Sequence, residues 1–267
     1  MISERAPAKV NLLLHVGPRR DDGLHELCSL FATIDLADHV TVEEAGDDEV
    51  VCEGVAGPNL ALAAVERFRM AAAPLLPPLR VTIDKRIPVA AGLGGGSADA
   101  AAVLRAANEL AGRPLDAGGL RALGASVGAD VPSQIEPRHA LVTGAGEAVE
   151  PVELSPMTLL LVPDADGLAT GDVYAQADAL GTTRAQLDPD HVRDLAARPL
   201  SDLAAVLEND LEAAAVSLRP QLSARMEALR QAGALNARVT GSGPTVFGVF
   251  HAGEAPDFEG AIRAEIT

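Results

Sequence analysis

The 267-residue sequence predicts an α+β fold of two domains, divided near residue 150. Strand-like and helix-like segments are mixed, without the regular strand–helix–strand repeat that builds a doubly wound parallel sheet. The length suffices for two domains, and a hydrophobic content of 48% supports a packed core. The stretch Glu147-Ala-Val-Glu-Pro between two strand-like runs marks the boundary, giving segments 1–150 and 151–267.

Each element has a local reason. Residues 9–16 (Lys-Val-Asn-Leu-Leu-Leu-His-Val) read as a buried strand, and the charged Pro18-Arg-Arg-Asp-Asp-Gly as a turn. Strands follow at 27–34 and 38–43, the latter alternating at Val40 and Val42. Apolar spacing at Leu60, Leu62, Ala63 and Val65 predicts a helix over 59–72, ended by Pro74, Pro77 and Pro78. A strand at 79–83 leads to a glycine-rich run and an Ala-rich helix over 97–110, with Ser97 as its expected N-cap. A short helix at 120–127 leads to the turn Gly128-Ala-Asp-Val-Pro, where Pro132 biases Val131 toward extended backbone. Strands are expected at 140–143 and 158–162, a polar loop at 165–171, and helices at 172–179, 203–217 and 221–231. The turn Gly241-Ser-Gly-Pro and a strand at 245–250 follow.

Composition narrows the function. A net charge of −17 sets the surface against nucleic acid and anionic membranes. Cys28 and Cys52 are the only cysteines and form no Cys-x-x-Cys pair, so free thiols are expected and structural zinc is not. The charged N-terminus does not read as a signal peptide, and no apolar run reaches membrane-spanning length. The expectation is a cytoplasmic protein acting on a small molecule, as a monomer or weak homodimer.

Residues 88–100 carry the clearest chemistry. Gly92, Gly94, Gly95 and Gly96 remove side chains from a loop that feeds a helix N-terminus, where free N–H donors and the dipole both favour an anion. No Gly-Lys-Ser/Thr follows, and the glycines are contiguous, so neither the Walker A nor the dinucleotide motif applies. A plain turn is the competing reading of this loop taken alone. Lys9 and Lys85 are the only lysines beside 19 arginines, and a compact ammonium suits contact with one phosphate oxygen. Asn11 shares a strand face with Lys9. Asp130 is a lone acid in a firm bend, and Gly241-Ser-Gly-Pro could form a second backbone clamp.

Together these residues resemble the GHMP kinases in all three signature regions: Pro7-Ala-Lys-Val-Asn-Leu, residues 88–99, and Val239-Thr-Gly-Ser-Gly-Pro-Thr-Val-Phe. The blocks Asp22-Gly-Leu-His-Glu-Leu, Gly128-Ala-Asp-Val-Pro and Asn209-Asp-Leu-Glu point within the family to kinases of a cytidine diphosphate-linked sugar alcohol in non-mevalonate isoprenoid supply. The resemblance implies a ribosomal-protein-S5-like N-terminal domain, a ferredoxin-like C-terminal domain, and ATP with Mg²⁺ in the cleft between them. It implies ATP contacts at Pro88, Gly92, Leu93, Gly94, Gly95, Gly96, Ser97 and Ala98, with Asn59 and Lys85 as further nucleotide contacts and Ser97 as the nearest metal ligand. It makes Lys9 and Asp130 the catalytic pair, and assigns Asn11, Leu24, His25, Tyr174, Gly241 and Ser242 to the alcohol. Two departures stand out. Leu24 replaces a usual Tyr, which removes a stacking face, and Pro137-Arg138 replace a glycine pair, so the strand after them must start differently. Kinases of homoserine or a mevalonate-like alcohol share the fold, and His25 argues against them. A catalytically silent nucleotide binder is the other alternative, and retention of Lys9 and Asp130 argues against it.

Overall fold

The computed structural model describes residues 1–55, 59–164 and 166–266. Two long strands organise its first half. β1 (Ile2–Arg19) and β2 (His25–Glu44) pair antiparallel from Ile2↔Val42 to Arg19↔His25. Residues 6–17 of β1 are all buried, because layers of structure cover both of its faces. The two strands expected at 27–34 and 38–43 are one continuous strand, since β1 runs along both and only shifts register, between Pro7 and Lys9, where Thr33 gives way to Ala37.

The chain continues through β3 (Glu49–Cys52), α1 (Leu60–Ala72), β4 (Leu79–Asp84), α2 (Gly95–Leu110), α3 (Ala117–Ala125), α4 (Val131–Gln134), β5 (Ala140–Gly144) and β6 (Ala148–Pro151). The sheet order is β3-β4-β2-β5-β6, with β1 also on β2. Helices α1 and α2 cover one face around Phe68, Val81 and Leu104. Ala98, Ala100, Ala101, Ala102, Ala106 and Ala107 of α2 are all buried; their short side chains let the helix lie close to its neighbours.

The second half contains β7 (Met157–Val162), α5 (Thr170–Leu180), α6 (Pro189–Ala196), α7 (Leu200–Ala205), α8 (Glu212–Leu218), α9 (Gln221–Gln231), β8 (Asn236–Val239), β9 (Val246–His251) and β10 (Ile262–Ile266). These strands form an antiparallel sheet in the order β10-β7-β9-β8, the ferredoxin-like arrangement. Its apolar face meets β1 and β2 in a shared core that includes Leu12, Leu30, Phe247 and Ile266.

Several local expectations are corrected. The helix expected over 203–217 is broken between α7 and α8, because the backbone around Asn209 leaves the helix to bond β1: Leu14 N donates to Glu208 O at 3.0 Å, and Asp210 N donates to Leu14 O at 2.9 Å. Val131 is helical rather than extended; Pro132 sits in the first turn of α4, where its missing N–H costs nothing. Ser97 is not the N-cap of α2. Gly94, at φ +71°, is the N-cap, three residues earlier. Strands β3, β6 and β10 and helix α6 were not expected, being short or rich in polar residues. Of the expected loop 165–171, residue 165 lies outside the described residues.

Candidate active site

The signature regions converge on one cleft of about 930 Å³ between the two sheets. The head of helix α2 supplies one wall, chemically suited to an anion. With Gly94 as cap, the N–H groups at the head of the helix have no intrahelical partner, and no acidic residue stands in the first turn. Gly92, Leu93, Gly94, Gly95, Gly96 and Ser97 all line the cleft, as does Pro88. Ala98 does not; it is buried in the core beneath the loop.

The glycines are needed for close approach. A Cβ on Gly94 would lie 2.9 Å from Lys9 Cγ, so the lysine stem runs directly along the loop. Lys9 N donates to Leu93 O at 3.0 Å, which ties the loop to β1. The β1–β2 register shifts between Pro7 and Lys9 and again between Asn11 and Leu13. Such irregularities re-aim side chains next to functional sites.

Lys9 is buried, and its ammonium faces three groups. It donates to Asn11 Oδ1 at 2.5 Å, stands 3.4 Å from Asp130 Oδ2, and lies 4.9 Å from the centre of the Phe31 ring. Asn11 is held in turn: its Nδ2 donates to Ser29 Oγ at 2.8 Å, and its backbone N donates to Thr240 Oγ1 at 2.9 Å. The C-terminal glycine turn closes over this cluster. A Cβ on Gly241 would sit 3.2 Å from Asn11 Oδ1 and 3.6 Å from Lys9 Nζ. Asn209 fixes that turn, its Nδ2 donating to both Val239 O and Gly241 O at 2.8 Å. Ser242, facing the cleft, bonds Thr170 through their hydroxyls at 3.1 Å.

The bend that carries Asp130 is set locally. Ser133 Oγ donates to Asp130 O at 2.8 Å, and Gly146 packs its backbone against Ala129. Pro137 and Arg138 lie beyond α4, outside these contacts.

His25, which also lines the cleft, is buried. Its Nε2 lies 2.9 Å from Asp178 Oδ1, and its ring centre is 5.2 Å from that of Tyr174. Asp178 and Tyr174 are four residues apart on α5 and so share a helix face. A carboxylate only accepts, so Nε2 is the donor to Asp178. Burial pushes the Tyr174 hydroxyl up to about 12, so it faces the cleft neutral. Leu24, 51% exposed, lies at the rim. Asn59 also faces the cleft, but its Oδ1 caps α1 by accepting from Ala61 N at 2.9 Å.

Lys85 lines the cleft beside the glycine loop, a Cβ on Gly95 falling 3.0 Å from its Nζ, and it is paired within the protein. Its ammonium donates to Asp38 Oδ2 at 2.6 Å and to Asp99 Oδ2 at 2.7 Å. Asp38 is fully buried and also accepts from Arg86 N and Ile87 N, so it holds the strand end that leads to the glycine loop. Two carboxylates thus share one ammonium. Asp99 is the less well served of the two, because its buried Oδ1 has no hydrogen-bond partner. Burial, with Asp38 nearby, pushes the Asp99 carboxyl up to about 7 against the pull of Lys85. A carboxyl raised in the folded state holds a proton that the unfolded chain releases, so folding stability falls as pH rises from about 4 through about 7. Melting curves across that range are expected to show this slope, and Asp99→Asn to flatten it.

Sequence patterns alone did not point to the supporting groups Phe31, Asp38, Asp99, Asp178 and Asn209. Asp99 and Asn209 stand inside signature motifs, and the i, i+4 spacing of Tyr174 and Asp178 was a usable signal.

Residues 59–136 match the GHMP kinases N terminal domain, and residues 192–266 match the GHMP kinases C terminal. The 4-diphosphocytidyl-2-C-methyl-D-erythritol kinase of Kineococcus radiotolerans is 40% identical over 261 residues, covering 92% of this chain and 80% of its own. That of Anaeromyxobacter dehalogenans is 43% identical over 255 residues, covering 92% of this chain and 79% of its own. The chain belongs to the GHMP kinases. A crystal structure of 4-(cytidine 5'-diphospho)-2C-methyl-D-erythritol kinase superposes with a TM-score of 0.81 at 32% identity, covering 99% of both chains. Homoserine kinase from Cytophaga hutchinsonii, at 19% identity, 95% of this chain, 86% of its own and a TM-score of 0.71, shares the GHMP fold. This GHMP kinase is therefore an ATP-dependent small-molecule kinase. Among its described residues no helix is long and apolar enough to cross a membrane.

Proposed function

We propose that this GHMP kinase transfers the γ-phosphoryl group of ATP to a hydroxyl of 4-diphosphocytidyl-2-C-methyl-D-erythritol. The observation that carries the reading is the pairing of Lys9 with Asp130 at 3.4 Å, directly beside the free head of α2. Relatives of about 40% identity across nearly the whole chain bear that substrate in their names.

The loop at residues 92–97 receives the ATP phosphates through backbone N–H groups. The terminal phosphorus then faces Lys9 and Asp130. The acceptor oxygen attacks it, the bond to the bridging oxygen of ADP breaks, and the hydroxyl proton passes to Asp130. A carboxylate is a weak base, so this proton moves late, as the new P–O bond forms. Lys9 stabilises the charge on the transferring group, in a transition state where positioning and electrostatics supply most of the catalysis. Asn11 and Thr240 keep Lys9 aimed.

Mg²⁺ fits this wall in a limited way. Among the described residues no group of three or more His, Cys, Asp or Glu could hold a metal, and Mg²⁺ in kinases is bound mostly by phosphates and water. The Ser97 hydroxyl, in the first turn of α2 and facing the cleft, would be its protein ligand. When bound, the ion neutralises phosphate charge. The His25 and Tyr174 rings, which also line the cleft, suit a pyrimidine base.

Mass spectrometry tests the reading. The chain, ATP, Mg²⁺ and 4-diphosphocytidyl-2-C-methyl-D-erythritol are expected to yield an acceptor heavier by one phosphoryl group, with homoserine and mevalonate left unmodified. Phosphorylation of either alternative in preference to the cytidine compound would sink it.

A further inference from the structure

Three cationic side chains line the cleft: Lys9, Lys85 and Arg19. Two are already matched by carboxylates, Lys9 by Asp130 and Lys85 by Asp38 and Asp99. Arg19 forms no ion pair among the described residues. Its neighbour Arg20 shows how readily this chain pairs its arginines, with Asp22 at 3.2 Å, Glu26 at 3.3 Å and Glu147 at 3.2 Å. In a protein of net charge −17, an unmatched guanidinium at the wall of a binding cleft is a directed positive charge.

The placement of Arg19 is defined. It is the last residue of β1 and the direct cross-strand partner of His25, so the two side chains leave the same face of the ladder. Its Nε donates to Gly23 O at 3.1 Å, which anchors the near side of the guanidinium and leaves its other nitrogens as donors. The residue is exposed, beside the rim leucine Leu24. On the ATP side of the cleft, backbone N–H groups meet the phosphates. On the acceptor side the remaining charged groups are acidic, Asp130 and Asp178.

We propose that Arg19 binds the diphosphate linker of the acceptor. The inference rests on the substrate reading above and deepens it. A planar fork of N–H donors matches phosphate oxygens in pairs, and the charge offsets the linker's own against two cleft aspartates. Affinity for the acceptor thus depends on a residue outside the family signature blocks.

Equilibrium titration tests this, with the ATP site saturated by a non-hydrolysable ATP analogue. CDP and cytidine are the probes, and wild type, Arg19→Gln and Arg19→Lys are compared. Arg19→Gln is expected to weaken CDP about tenfold or more while cytidine changes less than about twofold. Arg19→Lys, which keeps the charge, is expected to retain most of the CDP affinity. An equal loss for both probes would overturn the proposal in favour of guanidinium stacking on the base, and no loss for either would overturn it outright. A wild-type protein that takes up the ATP analogue but neither cytidine probe would instead remove the substrate reading on which it rests.

Discussion

Asp130→Asn is expected to lower turnover by about 10²–10⁴-fold, the range typical for loss of a positioned proton acceptor, while ATP binding stays close to that of the wild type. The two effects separate because Asp130 and the proposed phosphate cradle are carried by different segments. The cradle is backbone at the head of α2, held by Gly94 and by the bond from Lys9 N to Leu93 O. Asp130 sits on a separate segment, in a bend held by Ser133 and by the backbone of Gly146. Asparagine has nearly the same shape, so that bend survives. The ammonium of Lys9 keeps Asn11 Oδ1 at 2.5 Å after its carboxylate partner is gone. The substitution removes the proposed proton acceptor and leaves Lys9 without its carboxylate partner. The Lys9 charge would hold ATP as well as before, or slightly better. Coupled measurement of ADP release gives turnover, and titration with a non-hydrolysable ATP analogue gives affinity. Turnover within about threefold of wild type would remove Asp130 from the proton-transfer step. Parallel loss of ATP affinity would show that the bend and the cradle are mechanically one unit.

Much of this site was legible in the sequence because it is built from backbone and from rare residue types. Four glycines within five positions have few other uses, and two lysines among 19 arginines draw attention to themselves. The long apolar run of β1 announced its burial. What was not legible was long-range support. Asp38 lies 47 residues from Lys85 in sequence and Asn209 lies 32 from Gly241, so no periodic pattern links them. The break between α7 and α8 was hidden for the same reason. Locally the segment favours helix, and only pairing with Leu14 pulls it out. Lys85 shows the same limit. Its rarity drew attention to it, but its two carboxylate partners, Asp38 and Asp99, were not legible from the local sequence.

Gly92→Ala is expected to cost both folding stability and ATP affinity. Gly92 has φ +77°, and an added Cβ would lie 2.8 Å from Gly243 O and 2.9 Å from Thr240 O. Both obstacles are backbone atoms of the C-terminal glycine turn, which Asn209 and the Thr240–Asn11 contact hold in place. No side chain can swing aside, so the two halves of the cleft must separate. The loss has two components. A left-handed backbone costs a non-glycine residue about 1–2 kcal/mol, and overpacking adds about 1–3 kcal/mol. Gly112→Ala isolates the first, because Gly112 has φ +78° and a Cβ added there would meet nothing within 4 Å. At about 2–4 °C per kcal/mol, Gly112→Ala is expected to lower the melting midpoint by a few degrees and leave the KM for ATP unchanged. Gly92→Ala is expected to lower the midpoint at least twice as far and to raise that KM, because Leu93 and Gly94 move with it and carry the phosphate donors away from Lys9. Equal melting shifts in the two variants, with equal KM values, would mean that the glycine turns do not bear on each other and that the cleft tolerates a wider gap than its contacts imply.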